Sequence, residues 1–258
     1  MDIVRIATLL EPFLEQPLAS TQLDQISIYI DLLVRWNARI NLTAIRNPEE
    51  IVTRHFGESL FMARHLFPNS SKPRHPDPEL VEGEGPMHLD PSGGAAGVAA
   101  RPRSAGNRQL ATGNCPPRVL DIGSGAGFPA LPLKIWVPSV NLTLIESNHK
   151  KAAFLNEVAR ALTLTNVNVT TERTETLLAR PGFARADVVT LRAVERFEAI
   201  LPQAVSFLAP NGTLALLITA KQVPHLGTVT RVKWYPEICV PQSHSRVMSI
   251  GVKTESGM

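Results

Sequence analysis

One segment of the chain limits its possible folds more than any other does. Residues 120–129 read Leu-Asp-Ile-Gly-Ser-Gly-Ala-Gly-Phe-Pro, and they connect an apolar run at 119–122 to a longer apolar run at 130–137. The first run has the length and residue types of a buried strand, and the second has those of a helix. The three glycines allow a tight turn that a ligand can approach closely. This order predicts one unit of an open α/β sheet with a ligand crevice at its carboxyl edge.

The same alternation continues to the end of the chain. Runs rich in Val, Ile, Leu and Thr predict strands at residues 119–122, 141–146, 167–170, 187–191 and 213–219. Helices are predicted at residues 130–137, 150–162 and 197–208, with a Pro-Asn-Gly turn at 210–212 and two more strands at 232–240 and 246–252. We therefore predict an α/β domain over residues 118–258, with a Rossmann-like, mostly parallel, seven-stranded sheet covered on both faces.

The first 68 residues have the pattern of helices only. Apolar residues recur every three or four positions from residue 20 to residue 40, which marks one face of a helix. A second helix is expected to begin at Asn47-Pro48-Glu49-Glu50, because Asn can cap the first turn and Pro is tolerated there. It should run to about His65. Residues 1–68 are thus predicted to form an N-terminal helical region.

Residues 69–117 differ in composition from both flanking parts. They contain eight prolines and seven glycines, and no Phe, Trp or Tyr. A segment without large side chains cannot form a core, and frequent prolines interrupt helices and strands alike. We predict a disordered insertion here. A binding tail is the less favoured interpretation, because the segment has five basic and five acidic residues and so no charge preference.

Composition excludes several classes of protein. No apolar stretch approaches the roughly 20 residues of a membrane helix, and the first residues lack the pattern of a secretory signal. The two cysteines, Cys115 and Cys239, have no partner at metal-ligand spacing, so neither a metal site nor a disulfide framework is expected. The net charge is +3, and residues 118–258 hold 15 Lys and Arg against 10 Asp and Glu. We expect a cytoplasmic protein without a membrane partner, for which a nucleic-acid partner is permitted.

Two acidic residues near the glycine turn indicate the ligand. Glu146 ends the second predicted strand, nineteen residues after Gly127, where a carboxylate can bind a ribose diol. The glycines are spaced G-x-G-x-G rather than the G-x-G-x-x-G of dinucleotide-binding turns, and Asp121 lies two residues before the first of them. An acid there attracts the amino group of S-adenosylmethionine but repels a pyrophosphate. S-adenosylmethionine is therefore the favoured cofactor, with NAD as the main alternative.

Several motifs together resemble one family. Besides the glycine turn, they are Arg-Trp-Asn-Ala-Arg-Ile-Asn-Leu-Thr-Ala at 35–44, Arg-His-Phe-Gly-Glu-Ser-Leu at 54–60 and Val-Val-Thr-Leu-Arg-Ala at 188–193. In these motifs the chain resembles the RsmG (GidB) family of 16S ribosomal RNA guanine-N7 methyltransferases, over about residues 5–68 and 117–222. It departs from that pattern in the 69–117 insertion, in Gln222 where glycine is expected, and in Gly-Glu-Ser at 57–59.

The resemblance implies a fold, a substrate and a set of cofactor contacts. The fold would be that of a class I S-adenosylmethionine-dependent methyltransferase with an N-terminal helical extension. The product would be 7-methylguanosine in the 530 loop of 16S ribosomal RNA, the partner 16S ribosomal RNA or the small ribosomal subunit, and the chain a monomer. The implied cofactor-binding residues are Gly123, Phe128, Glu146, Thr174, Glu175 and Arg192.

Other candidate residues have simpler interpretations. Arg192 is expected over the crevice rather than on the open surface, because it ends a predicted strand. Lys221 is equally consistent with a phosphate contact and with a solvated side chain. His55 is expected to be structural or exposed rather than catalytic, and Trp36 to be a core residue on the apolar stripe of its helix.

The predicted chemistry needs no general base. Residues 190–193 read Thr-Leu-Arg-Ala, without the Pro-Pro-aromatic stretch common in enzymes that methylate exocyclic amines, and neither cysteine lies where pyrimidine C5 chemistry needs a nucleophile. Guanine N7 has an in-plane lone pair and no proton, so alignment suffices. We assign no catalytic residue.

Two other functions are also compatible with the sequence. An NAD-dependent oxidoreductase would need a catalytic Tyr, Lys or His, and neither Tyr29 nor Tyr235 is expected beside the crevice. A non-catalytic RNA-binding or assembly module, derived from a methyltransferase, would keep the fold without the reaction.

Deleting residues 72–114 should leave the melting temperature and the affinity for S-adenosylmethionine nearly unchanged, because a segment rich in Pro and Gly adds little to a core. Thermal unfolding and calorimetry on the full chain and the deletion variant measure both quantities. A fall of more than about 4 °C, which corresponds to about 1 kcal/mol in a chain of this size, would mean that the segment packs.

Overall fold

The computed structural model describes residues 1–68 and 115–254. The insertion predicted at 69–117 lies outside the described residues, apart from its last three. Helices α1 to α8 span Ile3–Leu10, Ser20–Ile40, Pro48–Glu50, Glu58–Leu66, Ala130–Trp136, His149–Ala161, Thr174–Ala179 and Phe197–Phe207. Strands β1 to β8 span Arg118–Ile122, Asn141–Ile145, Val167–Thr170, Ala186–Arg192, Leu208–Thr219, Val232–Trp234, Ile238–Cys239 and Arg246–Lys253. Two 3₁₀ segments, Glu11–Phe13 and Ala220–Thr228, and a π-helical segment, Ile51–Gly57, complete the described elements.

The strands form one mostly parallel sheet, which confirms the predicted class. Their order is β3-β2-β1-β4-β5-β8-β6, with β7 also paired to β8. Strands β1 to β5 are parallel, and β8 runs antiparallel to β5. Within residues 1–68 and 115–254 the sheet has eight strands rather than the predicted seven. Pro236, which has no N–H group to donate to a ladder, divides the strand expected at 232–240 into β6 and β7.

Strand β5 contains the predicted turn as a bulge. Its register passes from Leu208 opposite Ala186 to Thr213 opposite Val188, so the residues between Leu208 and Thr213 are looped out of the ladder. Asn211, in this loop, has a φ of 59°, the left-handed conformation that turns use. The prediction of a turn at 210–212 was therefore right about the backbone, and the prediction that β5 begins only after it, at residue 213, was wrong.

The N-terminal region is helical, as predicted. Helix α2 has the predicted bounds, whereas α1 was not predicted. Asn47 caps the second predicted helix, since its Oδ1 accepts from the Glu49 N–H at 2.9 Å. This helix is interrupted by the π-helical segment, which no sequence pattern had indicated. Gly57 ends that segment with the ring of Phe13 so close that a Cβ atom would lie 2.6 Å from two ring carbons.

The two faces of the sheet have separate cores. The N-terminal helices, α5 and α6 cover one face, and α7 and α8 cover the other. Side-chain amides bind α2 to the sheet domain, because Gln22 donates to the carbonyl of Ile135 and Gln25 to that of Leu162, each at 3.0 Å. The helical region is thus part of the same core as the sheet. Within the part of the chain that the structure describes, no helix combines the length and apolar character needed to cross a membrane.

Candidate functional site

The glycine turn lies where the carboxyl ends of β1, β2 and β4 meet. The N–H of Gly123 donates to the carbonyl of Ile145 at 2.9 Å, which fixes the turn to the end of β2. Gly123 has a φ of 71°, a conformation that side chains with a Cβ atom rarely adopt. The atoms nearest to an added Cβ would be the methyl carbons of Val194, at 3.6 and 3.7 Å. A Cβ atom there would only make ordinary van der Waals contact with Val194, so the backbone conformation is what favours glycine at this position.

Asp121, two residues before the turn, has a buried oxygen without a partner. Its Oδ1 accepts a hydrogen bond from the Thr190 hydroxyl at 2.6 Å, whereas Oδ2 has no hydrogen-bond partner among the described residues. Burial raises the pKa of Asp121 to about 7, against the hydrogen bond from Thr190; the nearby Glu146 also raises it and Arg192 lowers it. Unpaired buried oxygens are rare in folded proteins. An ammonium group such as that of S-adenosylmethionine would satisfy this one, so these residues fit the predicted cofactor.

Glu146 follows β2, as predicted, and has a second role. Its Oε2 accepts from the Gly125 N–H and its Oε1 from the Asn148 N–H, both at 2.8 Å. A carboxylate can accept about four hydrogen bonds, so each oxygen keeps a lone pair for a ribose hydroxyl. The same side chain thus fixes the glycine turn through the Gly125 N–H. The sequence could not indicate this second role, because it depends on how the turn folds back over β2.

Thr174 and Glu175 begin α7, just after β3, and are joined to α8. The Thr174 hydroxyl donates to Oε1 of Gln203, and Nε2 of Gln203 donates to Glu175 Oε1 at 2.9 Å. Thr174 is buried and Glu175 is exposed. Hydrogen bonds, chiefly with its own backbone N–H and with Gln203, lower the pKa of Glu175. Gln203 orients this pair, and no sequence motif had singled it out.

Phe128 is held between two other rings. Its ring stacks on Tyr29, with centroids 5.3 Å apart, and on His55, with centroids 4.6 Å apart. The Phe128 ring thus belongs to an aromatic cluster, and its predicted contact with the cofactor stays a prediction. The expectation that Tyr29 lies away from the crevice was wrong. Its hydroxyl donates to the carbonyl of Ala126 in the glycine turn, and a Cβ at Gly127 would collide with that hydroxyl.

Arg192 is buried at the end of β4 rather than exposed. Its guanidinium forms an ion pair with Glu58 at 3.0 Å, where the two side chains are only 4% and 3% exposed. It also donates to the carbonyls of Arg54 and His55 in the π-helical segment. Burial lowers the pKa of Arg192 to about 10, and Glu58 opposes the shift. Glu58, one of the departures from the family pattern, also pairs with Arg246 at 2.8 Å.

His55 is a structural histidine, as expected. Its Nε2 is hydrogen-bonded to the Thr43 hydroxyl at 2.8 Å, and its Nδ1 lies 3.2 Å from Nη2 of Arg192. Burial, and then the positive charges of Arg192, Arg246 and Arg54, lower the pKa of His55 to about 3. The imidazole is therefore neutral at physiological pH, with both nitrogens occupied. Trp36, expected in the core, is partly buried and packs against Phe154.

Lys221 and Gln222 follow β5. Lys221 is exposed. Gln222 accepts hydrogen bonds from both the N–H and the hydroxyl of Thr219, each at 3.0 Å. This side chain caps the 3₁₀ segment that begins at Ala220. The departure from glycine at this position thus has a structural function.

Comparison with known proteins gives a consistent result. A family profile described as "GidB: rRNA small subunit methyltransferase G" matches residues 22–73 and 108–228 and leaves residues 74–107 unmatched. Proteins named "Ribosomal RNA small subunit methyltransferase G" are similar to this chain. The one from Roseiflexus castenholzii is 34% identical and covers 82% of this chain and 73% of its own length. Those from Desulfitobacterium hafniense (33%) and Chloroflexus aggregans (35%) cover 76% and 77% of this chain. The chain spans 62% and 64% of the length of these last two relatives.

Solved structures are more distantly similar. TrmN from Thermus thermophilus has a TM-score of 0.45 at 19% identity, covering 54% of this chain and 44% of its own. A precorrin-6y C5,15-methyltransferase from Geobacter metallireducens has a TM-score of 0.42 at 18% identity, covering 54% of this chain and 81% of its own. Structural similarity at this level does not indicate function. The family assignment rests on the family profile and the sequence relatives.

We expect the affinity for S-adenosylmethionine to fall as the pH drops below about 7, approaching tenfold per unit. A bound ammonium favours the ionised form of Asp121, whose pKa of about 7 means that this form is lost below that pH. α-Amino groups stay protonated in the same range, since their pKa is about 7.7–8.0. Calorimetry between about pH 5 and pH 8 measures the effect. Asp121→Asn should bind weakly with a flat profile; a profile equal to that of the wild type would remove Asp121 from the site.

We also expect Glu146→Ala to weaken cofactor binding roughly tenfold or more, because charge-assisted hydrogen bonds contribute about 1.5–3 kcal/mol. Binding measured by calorimetry is compared with Glu157→Ala, which removes the same group from α6 away from the glycine turn. Equal affinities for the two variants would contradict a ribose-binding role for Glu146.

Proposed function

We propose, from the premise that this chain belongs to the family of rRNA small subunit methyltransferase G, that it methylates N7 of a guanosine in the 530 loop of 16S ribosomal RNA. The cofactor is S-adenosylmethionine, and the fold is that of a class I methyltransferase. The observation that carries the proposal is the unpaired, buried Asp121 oxygen beside the glycine turn. It supplies the acceptor that a cationic cofactor needs and that a pyrophosphate would not use.

The cofactor, when bound, supplies a methyl group on a sulfonium sulfur. The chain's own residues then have three tasks: to bind, to orient and to keep water out. Asp121 and Glu146 offer acceptors on the β1 and β2 side of the edge, and the positive φ of Gly123 turns the chain between them. The Thr174–Glu175 pair, oriented by Gln203, lies after β3. These groups are held by the fold before any ligand arrives, which favours alignment of the reacting atoms.

The site supports an acceptor atom that has no proton to lose. His55 has both ring nitrogens engaged, and its low pKa of about 3 makes it a poor proton acceptor at neutral pH. Asp121 is buried behind the turn and hydrogen-bonded to Thr190. Guanine N7 attacks through a lone pair that it already has, so neither residue is required as a base. A site in which neither residue serves as a base suits N7, which needs none, better than an exocyclic amine, which must lose a proton.

The oxidoreductase alternative has little support. It needs a side chain that exchanges a proton with its substrate, and Tyr29 is the tyrosine that reaches the turn. Its hydroxyl is tied to the carbonyl of Ala126, and burial raises its pKa well above the ordinary value. Tyr29 is therefore a structural donor.

We propose further that the enzyme acts as a monomer in the cytoplasm, on ribosomal RNA or on the small subunit.

The wild-type chain should transfer a labelled methyl group to 16S ribosomal RNA, and digestion should release 7-methylguanosine. Single-turnover rates at saturating cofactor should show no titration near neutral pH that one carboxylate or histidine substitution eliminates, because N7 needs no base. His55→Asn and Asp121→Asn are the variants to compare.

Two results would change the proposal. A different methylated nucleoside would replace the N7 assignment. A neutral titration that persists at saturating cofactor and is abolished by His55→Asn would mean an acceptor atom that carries a proton, whereas one that Asp121→Asn abolishes counts only where cofactor saturation has been verified at each pH. A chain that binds S-adenosylmethionine and ribosomal RNA without methylating it would support the non-catalytic module.

A further inference from the structure

Three arginines gather at the carboxyl edge beyond β4. Arg192 ends β4, and Arg246 begins β8, opposite Thr219 at the carboxyl end of β5. Arg54 belongs to the π-helical segment, and its carbonyl accepts a hydrogen bond from the Arg192 guanidinium. The positive charges of Arg54 and Arg246 each lower the pKa of Arg192 and that of the neighbouring His55, so both guanidinium groups lie within electrostatic reach of this pair. Together, Arg54, Arg192 and Arg246 are called the arginine cluster below.

The acidic groups near the arginine cluster do not balance it. Glu58 pairs with Arg192 and with Arg246 through the same oxygen, Oε2. Asp121 also faces Arg192, but its pKa of about 7 leaves it only partly ionised at neutral pH. Among the residues that the structure describes, three positive charges face two negative ones even with Asp121 fully charged. The arginine cluster is therefore a centre of positive charge at the edge of the crevice.

Arg54 is the member of the cluster that is free to bind a ligand. It is exposed, and its guanidinium has neither a hydrogen bond nor an ion pair with any residue in 1–68 or 115–254. Arg192 is buried and fully engaged, and the side chain of Arg246 is 20% exposed and already paired. A guanidinium held beside two other cations without a partner gains most from an anion with several oxygens.

We propose that Arg54, supported by Arg246, binds a backbone phosphate of the RNA next to the nucleotide that is methylated. This inference rests on the proposed function, because it takes the RNA as the ligand. A phosphodiester suits the site, since its oxygens accept the paired N–H groups of a guanidinium. Such a contact fixes the position of the strand without reading its sequence. It would hold the target base at the crevice while the base itself enters.

The carboxylate of the cofactor is the other anion that could occupy the arginine cluster. The cofactor's acceptors, Asp121 and Glu146, lie at the ends of β1 and β2, whereas Arg54 lies on the N-terminal helices and Arg246 on β8. The cluster is thus on the side of the edge away from β2. An Arg54 substitution distinguishes the two anions. It weakens cofactor binding if the arginine cluster binds the cofactor carboxylate, and it weakens RNA binding if the cluster binds a phosphate.

The test compares Arg54→Gln with Arg54→Lys and with Arg160→Gln. Arg160 is exposed near the end of α6, at the opposite edge of the sheet, so its substitution removes the same charge away from the arginine cluster. Fluorescence anisotropy with a labelled RNA hairpin that contains the 530 loop gives the affinity between about 50 and 200 mM salt. Calorimetry gives the affinity for S-adenosylmethionine, and thermal unfolding checks that each variant is folded.

Arg54→Gln should weaken RNA binding roughly tenfold and reduce the slope of log affinity against log salt by about 0.7–0.9. Its cofactor affinity should stay within about twofold of the wild type, and Arg54→Lys should keep most of the salt slope. Arg160→Gln should resemble the wild type in both measurements.

Three outcomes would overturn the proposal. Arg54→Gln that weakens cofactor binding alone assigns the arginine cluster to the cofactor carboxylate. Equal RNA binding by Arg54→Gln and Arg160→Gln means that Arg54 makes no phosphate contact, even if the wild type methylates the RNA. A wild-type chain that neither binds nor methylates the RNA removes the proposed function, and this inference with it.

Discussion

The guanidinium at the end of β4 can be buried only because other elements neutralise and bind it. A buried, unpaired charge costs several kcal/mol, so Arg192 needs both a counter-charge and hydrogen-bond acceptors. Glu58 from α4 supplies the charge, and the carbonyls of Arg54 and His55 supply the acceptors. Those carbonyls belong to the π-helical segment, so the irregular helix and the buried arginine form one unit. The N-terminal helices are fixed in this way to the edge where ligands bind.

The same unit reaches the antiparallel end of the sheet and the glycine turn. Glu58 also binds Arg246, which ties β8 to α4. On the other side, His55 stacks on Phe128, and Tyr29 covers the second face of that ring and binds the turn through Ala126. Residues of α2 and of the π-helical segment therefore contact the turn that follows β1. A helical region that looked like an extension is thus a structural part of the site.

The sequence predicted the elements whose signals are local. The glycine turn, the parallel strands and the bounds of α2 follow from residue spacing and turn chemistry, and the structure confirms them. It could not predict the π-helical segment or the partner of Arg192, because a guanidinium 134 residues after Glu58 becomes its neighbour only through the fold. Tyr29 was misplaced for the same reason. Pro236 was available as a signal for two strands rather than one, since proline interrupts a ladder. No sequence motif marks Gln203, because it acts by orienting Thr174 and Glu175, which lie elsewhere in the sequence.

The charges along the carboxyl edge divide it into two parts with different chemistry. Asp121 and Glu146, at the ends of β1 and β2, favour a cation, whereas the arginine cluster around the ends of β4 and β8 favours an anion. Unlike ligands can therefore bind side by side without competing: a sulfonium cofactor on one part and a polyanionic RNA on the other. The boundary between the two parts lies between β1 and β4, which are neighbours in the sheet. Methyl transfer to a neutral ring nitrogen places its developing positive charge on the substrate, and an RNA phosphate held nearby would stabilise that charge. The division of charge would then serve the reaction as well as binding.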